Sequence, residues 1–415
     1  MNAASAARRF FAGVAAGCCL AGTLSAQTAD PGTPLANAAA AARPTPEPPP
    51  PLQAPVAPAR SVVYSIHEAS AISEFTANAP RVRSMVDRLV AATTGKETAA
   101  AGWRSLVEPR DVVGIKISAS GHASGATHRA VVEAIIDGLR AAGVPTANIL
   151  VWDRDADDLH AAGYLTNDNR STLPCQVLAI EPRYDYDPKE VYSAPILGKL
   201  IWGDLLFHGN PIAADDTLHS ERPAFGLNPL EDHPTPTPTI TGARNAGLLA
   251  RENLSNVSHY CTILSRKVTK IVNVPVFADS YFAGIGGALY NVTIPNVDNW
   301  RRLVGPPRYG TSSIAEMYSD PQLGGKIVLN VTDGLIAQIA GGPAFQPLYA
   351  RPWGTLYASR DAVALDSVVL RLLETWRAQS HLPTLTESAA HVKTAADIGL
   401  GNFAAEKIDL RTLEP

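Results

Sequence analysis

The run Val112-Val113-Gly114-Ile115-Lys116-Ile117 constrains this chain more than any other feature. Asp111 introduces it, and its β-branched residues read as a strand buried on both faces. A Ser/Gly/His loop follows, from Ser118 to Ala126. Thr127 then stands where it can cap a helix whose Val131, Val132, Ile135, Ile136 and Leu139 form one apolar stripe. Gly143 closes that helix, and Ile149-Leu150-Val151-Trp152 is a second strand. Strand, helix and strand in this order form a β–α–β unit, whose two strands must lie parallel.

The rest of the body repeats this alternation. Ser61–Ile66 reads as a first strand, and Val82, Met85, Val86, Leu89 and Val90 give residues 81–92 helical spacing. Further strands are expected at Cys175–Ile180, Lys270–Val276, Lys326–Val331 and Thr355–Ala358, with regular structure resuming at Cys261–Leu264. A closing helix runs from Asp361 to about Arg377. The fold class is therefore α/β: a three-layer sandwich with a mainly parallel or mixed central sheet. Residues 182–245 interrupt the rhythm with X-Pro pairs and His233-Pro234-Thr235-Pro236-Thr237-Pro238. They read as a long Pro-rich surface insertion carrying one or two short hairpins, within a single domain over 61–415.

The two leading segments differ in composition. Residues 1–26 carry Arg8-Arg9-Phe10-Phe11, a weakly apolar stretch and Leu24-Ser25-Ala26, the layout of an export signal peptide. The paired arginines resemble a twin-arginine signal, which would make the export machinery a partner and the periplasm the destination; the ordinary secretory route is the alternative. Cleavage after Ala26 would take the net charge from −4 to −6. Cys18 lacks the upstream leucine of a lipoprotein site, so no lipid anchor is expected there. Residues 27–60 hold ten prolines between Pro31 and Pro58, with alanine filling most gaps, and read as a disordered, semi-rigid linker. The acidic balance offers no basic footprint for nucleic acid. No apolar run reaches the ~20 residues that a membrane-spanning helix needs.

Ligands of parallel sheets sit beyond the carboxyl ends of the strands. That rule singles out the loops Ser118–Ala126, Asp153–Asp158, Asp279–Asn291 and Asp333–Pro343. Lys116 is the sharpest residue: a buried charge that is either an anion clamp or the partner of a strand-end carboxylate, Asp153 or Asp333. His122, in the loop beside it, is a candidate acid/base, and Asp333 a candidate wall carboxylate. Asn291 could orient a ligand, and Gly341-Gly342 leave room for one. The carboxylates Asp153, Asp155, Asp157 and Asp158 lack the glycine and terminal glutamate of a calcium loop and read as an acidic turn capping a short helix. The metal question stays open, because no H-x-H or H-E-x-x-H spacing occurs. Asp361 is an expected N-cap, and Asp366 faces either the site or solvent.

Five segments, in order, resemble the domain of unknown function 362 family. They are Val113-Gly114-Ile115-Lys116 with its loop and the Thr127 helix; Ile149–Arg154 with Leu159 and Gly163-Tyr164; Ile271-Val272-Asn273-Val274-Pro275 with Ala283–Asn291; Val331–Leu335 with Gly341-Gly342-Pro343; and Ser359–Asp366. Together they span residues 112–402, and the resemblance adds Gly286 and Gly287 to the candidate ligand-binding set. The family carries no settled reaction. Some relatives hold iron–sulfur clusters on added cysteines, but only Cys175 and Cys261 follow the signal here and no C-x-x-C occurs, so no cluster is expected. The two thiols either pair or stay buried and free. This chain has Phe277-Ala278-Asp279-Ser280, Tyr290-Asn291 and Leu303-Val304 where relatives place Lys or His. The resulting expectation is an exported enzyme acting on a small anionic or oxygen-rich molecule at a strand-end cleft, with catalytic Lys116, His122 and Asp333 and ligand-binding Asp153, Asn291, Gly286, Gly287, Gly341 and Gly342. The alternative is a non-catalytic envelope ligand-binding or scaffold protein with a degenerate site.

Overall fold

The computed structural model describes residues 51–182, 184–199 and 254–415. The export signal and most of the linker expected from the sequence lie outside them. The last ten residues of that linker, 51–60, are described. Ala57 N donates to Gly399 O, and Asn402 Nδ2 donates to Pro58 O. Proline removes donors but not acceptors, so the segment is tied down by one non-proline donor and one proline carbonyl.

Fourteen strands are defined among the described residues. β1 (Ser61–His67), β4 (Val113–Ile117), β5 (Ile149–Trp152), β6 (Gln176–Leu178), β9 (Lys270–Val274), β12 (Ile327–Gln338), β13 (Ala350–Ser359) and β14 (Ile408–Leu413) make the main sheet, in the order β14-β1-β13-β12-β9-β4-β5-β6. β10 (Val276–Ser280) pairs with β12 and with the short β11 (Gly284–Ile285). A minor hairpin joins β2 (Ile72–Ser73) to β3 (Thr76–Ala77), and β7 (Tyr186–Lys199) pairs antiparallel with β8 (Leu254–Cys261). β4 pairs parallel with both β5 and β9, as the β–α–β reading requires. Only β13 and β11 run antiparallel to their neighbours in the main sheet, which is therefore mixed and mostly parallel.

Helices cover both faces. α1 (Ala79–Thr94), α2 (Ala99–Leu106) and α4 (Arg129–Ala141) pack on one side; the single turn α3 (His122–Gly125) and α5 (Ala156–Ala161) lie at the strand ends. α6 (Ala288–Thr293), α7 (Ser313–Ser319), α8 (Ala362–Gln379) and α9 (Ala390–Asp397) cover the other side. β4 shows how the period of two divides the cores. Val113, Ile115 and Ile117 join the α1/α4 core, each worth roughly 1.5–3 kcal/mol when buried. Gly114 and Lys116 point the other way. A Cβ on Gly114 would come within 2.6 Å of the Trp152 ring, so this position stays small.

Three expectations shift. The strand expected over Lys270–Val276 divides at Pro275, which lacks the N–H to continue a ladder; its carbonyl accepts from Asp333 N at 2.8 Å instead. The strand expected to stop at Val331 runs on to Gln338, because β10 and β13 both extend its pairing, with a bulge between Gly334 and Ile336. Regular structure resumes at Leu254 rather than Cys261, because β8 is the return strand of the β7 ribbon. Of the insertion expected over 182–245, residues 183 and 200–245 lie outside the described residues. Cys175 and Cys261 are free buried thiols in different cores, and burial pushes both up to about 11. Asp361 caps α8 as expected, accepting from Ala364 N at 2.9 Å. Among the described residues no helix is long and apolar enough to cross a membrane.

Candidate functional site

A transverse row of polar side chains crosses the sheet beneath α6. Lys116 on β4 stands beside Asn273 on β9, Asn273 beside Asn330 on β12, and Asn330 beside Ser359 on β13. Lys116, Asn273 and Asn330 are wholly buried. Lys116 Nζ donates to Asp153 Oδ1 at 2.6 Å, to Ile117 O at 2.6 Å and to Asn291 Oδ1 at 3.2 Å. Asn291 Nδ2 donates to Asn273 Oδ1 at 2.8 Å, Asn273 Nδ2 to Asn330 Oδ1 at 2.8 Å, and Asn330 Nδ2 to Ser359 O at 3.3 Å. Each buried polar group thus answers the next, the condition under which such a row is tolerated.

Asp153 stands at the end of β5 with its valences filled. Oδ1 also accepts from Arg154 N at 2.8 Å, and Oδ2 accepts from Ala119 N at 2.6 Å. Of the two carboxylates expected as partners of Lys116, Asp153 is the one in contact. Lys116, Asp153 and Asn291 come together as one cluster, and the bonds named above occupy all three Lys116 protons.

Asp333 belongs to a second cluster. Its Oδ2 accepts from His128 N at 2.6 Å and lies 2.8 Å from His128 Nδ1, while Oδ1 accepts from Leu335 N at 3.0 Å. The Asp333 side chain is 1% exposed and that of His128 9%. Thr127 does not cap the following helix. His128 is the N-cap residue, and the Thr127 hydroxyl donates to Val274 O while accepting from Ser118 N. Tyr164 OH donates to Thr127 O at 2.6 Å, so loop, helix start and β9 are bolted together. Burial pulls the His128 pKa down, but the Asp333 charge and hydrogen bond outweigh it and hold the imidazole above its ordinary value. His128 Nε2 is buried and has no hydrogen-bond partner.

His128 lines a crevice of about 10 Å³, room for about one water molecule. Val276, Ile336 and Pro343 make apolar walls, with Gln338 as a polar neighbour. Its outer wall is Phe345, half-buried and packed edge-to-face on exposed Phe75 at 5.7 Å. A neutral imidazole with Nδ1–H on a carboxylate leaves Nε2 as the basic atom, the arrangement used for proton transfer and for metal ligation. Among the described residues no group of three or more His, Cys, Asp or Glu is placed to hold a metal ion.

The remaining predicted residues lie apart from both clusters. The His122 side chain is 58% exposed and meets Asp158 at 3.1 Å. Asp155 caps α5 by accepting from Asp157 N, the expected acidic turn. Gly287 makes room for Asp366, whose carboxylate touches the place a Cβ would occupy. Asp366 is fully buried and accepts from Ala288 N and Leu289 N at the start of α6; burial pushes it up to about 7 against those two bonds. Gly286 N donates to Ala278 O. Gly342 packs on β10, its N–H donating to Asp279 Oδ1 at 3.0 Å, and Gly341 adopts φ +86°. Gly341-Gly342 thus hold the turn that carries Pro343 and Phe345 over the crevice.

His128, Asn273 and Asn330 were not among the sequence candidates. The asparagines carried a signal, each a lone polar residue within an apolar strand run. His128 carried none beyond its place before an amphipathic helix, because its partner lies 205 residues away.

The search of curated proteins gave no match. A crystal structure of a protein from Thermotoga maritima, solved by structural genomics, aligns with a TM-score of 0.36 at 9% identity, covering 79% of this chain and 60% of that one. The chain thus spans less than two thirds of that neighbour's length. The family model for the domain of unknown function 362 matches residues 258–371. The match takes in Asn273, Asn291, Asn330, Asp333 and Asp366, and leaves Lys116, His128 and Asp153 outside. Over residues 258–371, a little over a quarter of its length, the chain therefore matches the domain of unknown function 362 family.

Proposed function

We propose that this protein is an enzyme acting on a small oxygen-bearing molecule at the ends of the parallel strands, with His128 as the proton-transferring group and Asp333 as its orienting partner. One observation carries this reading: a buried imidazole nitrogen with no partner, on a ring fixed by a carboxylate that is itself clamped by backbone amides. Such a nitrogen costs stability unless something binds it. Admitting such a molecule requires the Phe345–Phe75 wall to move, because the crevice as it stands has room for about one water. The test is a thermal-shift and turnover screen with small carboxylates, esters and sugars on wild type and His128→Asn. Turnover should fall by about 10²–10⁴ in the variant. A substrate turned over equally by both proteins defeats the proposal.

A non-catalytic binding role is the second reading. It is favoured by the closed Lys116–Asp153–Asn291 cluster, which has spent its polar valences internally.

We also propose export to the periplasm by the twin-arginine route, supported by Arg8-Arg9-Phe10-Phe11 and the weakly apolar stretch after it. Replacing Arg8 and Arg9 together by Lys should leave the precursor in the cytoplasm. An undiminished periplasmic yield, read by fractionation and blotting, would point to the general secretory route instead.

A further inference from the structure

We propose a second ligand site, for a small polyanion, at the end of the sheet opposite the His128 crevice. β12 places the two sites. Its first residue, Ile327, lines the new cavity, whereas Asp333, Ile336 and Gln338 line the crevice. Six residues of strand from Ile327 to Asp333 separate them by about 20 Å. The cavity holds about 490 Å³, within the usual range for small-molecule pockets.

Charge decides what it takes. Arg60 and Arg360 both line the cavity and are exposed, and neither makes an ion pair or side-chain hydrogen bond among the described residues. They are brought together because Arg60 directly precedes β1 and Arg360 directly follows β13, its antiparallel neighbour. The one carboxylate in the lining, Asp361, is already satisfied. It accepts from Ser61 Oγ at 2.5 Å, Ala364 N at 2.9 Å and Asn402 N at 2.9 Å. The lining therefore presents two free guanidiniums and no free anion. Guanidinium forks match the planar oxygens of carboxylate and phosphate, and two of them select a ligand bearing more than one such group. Tyr64 adds a hydroxyl to the wall.

The site makes no use of His128, so its test is independent of the proposed catalysis. Isothermal titration of the full-length protein with citrate and, separately, with pyrophosphate should show one binding event, and the tighter anion distinguishes carboxylate from phosphate chemistry. Arg60→Gln and Arg360→Gln should each weaken binding about tenfold, the worth of one charge-assisted contact, and the double variant should abolish it. Both side chains are exposed and unpartnered, so the variants should melt with wild type. Absence of binding of either anion at millimolar concentration, or unchanged affinity in the double variant, overturns the proposal.

Discussion

Lys116→Met should destabilise the protein by roughly 3–5 kcal/mol at neutral pH, the usual cost of leaving one member of a buried ion pair alone. Methionine keeps the aliphatic stem, so packing is nearly preserved and the loss reports on charge. Without the ammonium, Asp153 keeps its two amide donors but loses its counter-charge at 2.6 Å, and Asn291 Oδ1 loses its donor. Lys116→Met/Asp153→Asn, which leaves no lone charge, should recover part of the loss. Urea denaturation at pH 7 measures both. A single variant as stable as wild type, or more so, would mean that the lysine is a liability awaiting a ligand rather than a structural partner.

His391→Leu should remove about 3 kcal/mol of acid sensitivity between pH 6.5 and pH 4. His391 lies wholly buried on α9, and neither ring nitrogen has a partner. Burial alone pushes its pKa down to about 3, so the folded protein keeps the ring neutral where the unfolded chain protonates it. Below about pH 6.5 the unfolded state binds one more proton, and stability falls by about 1.4 kcal/mol per pH unit until the folded pKa is reached. Asp366 works in the opposite direction. Its carboxyl is pushed up to about 7, so it costs stability as pH rises from about 4. That contribution is common to wild type and variant, and the difference between their pH–stability curves isolates His391. Parallel curves would show that the ring is not held neutral. At pH 7 the variant should be at least as stable as wild type, because two unpaired buried nitrogens are gone.

The parts of this architecture legible in the sequence are those set by local periodicity. The β4–α4–β5 unit, the α8 stripe and the Asp361 cap all follow from residues within one element of each other. Sheet order is not local, and the site depends on it. Asp153 and Asp333 looked equivalent as partners for Lys116, since both end a strand run. β5 is the neighbour of β4, whereas β12 lies beyond β9, so only Asp153 comes within reach. The same order sends Asp333 to His128. Thr127 looked like the helix cap because threonine often is one. Its hydroxyl was taken by Val274 O across the sheet end, a competitor invisible from the helix's own sequence. Lone polar residues inside strand runs, Lys116, Asn273 and Asn330, were the strongest non-local signal, since a buried polar group requires a partner wherever the fold supplies one.

Asp333 holds the His128 ring by Nδ1 and leaves Nε2 buried and unpartnered beside the crevice. Long-range ¹⁵N–¹H NMR of the His128 imidazole, followed from pH 5 to pH 9, tests this most directly. The ring should be protonated at Nδ1 when neutral, titrate above the ordinary 6.5, and show a marked fall of that titration in Asp333→Asn, where burial is left to act alone. A ring protonated at Nε2, or a midpoint at or below 6.5 that Asp333→Asn does not move, would contradict it.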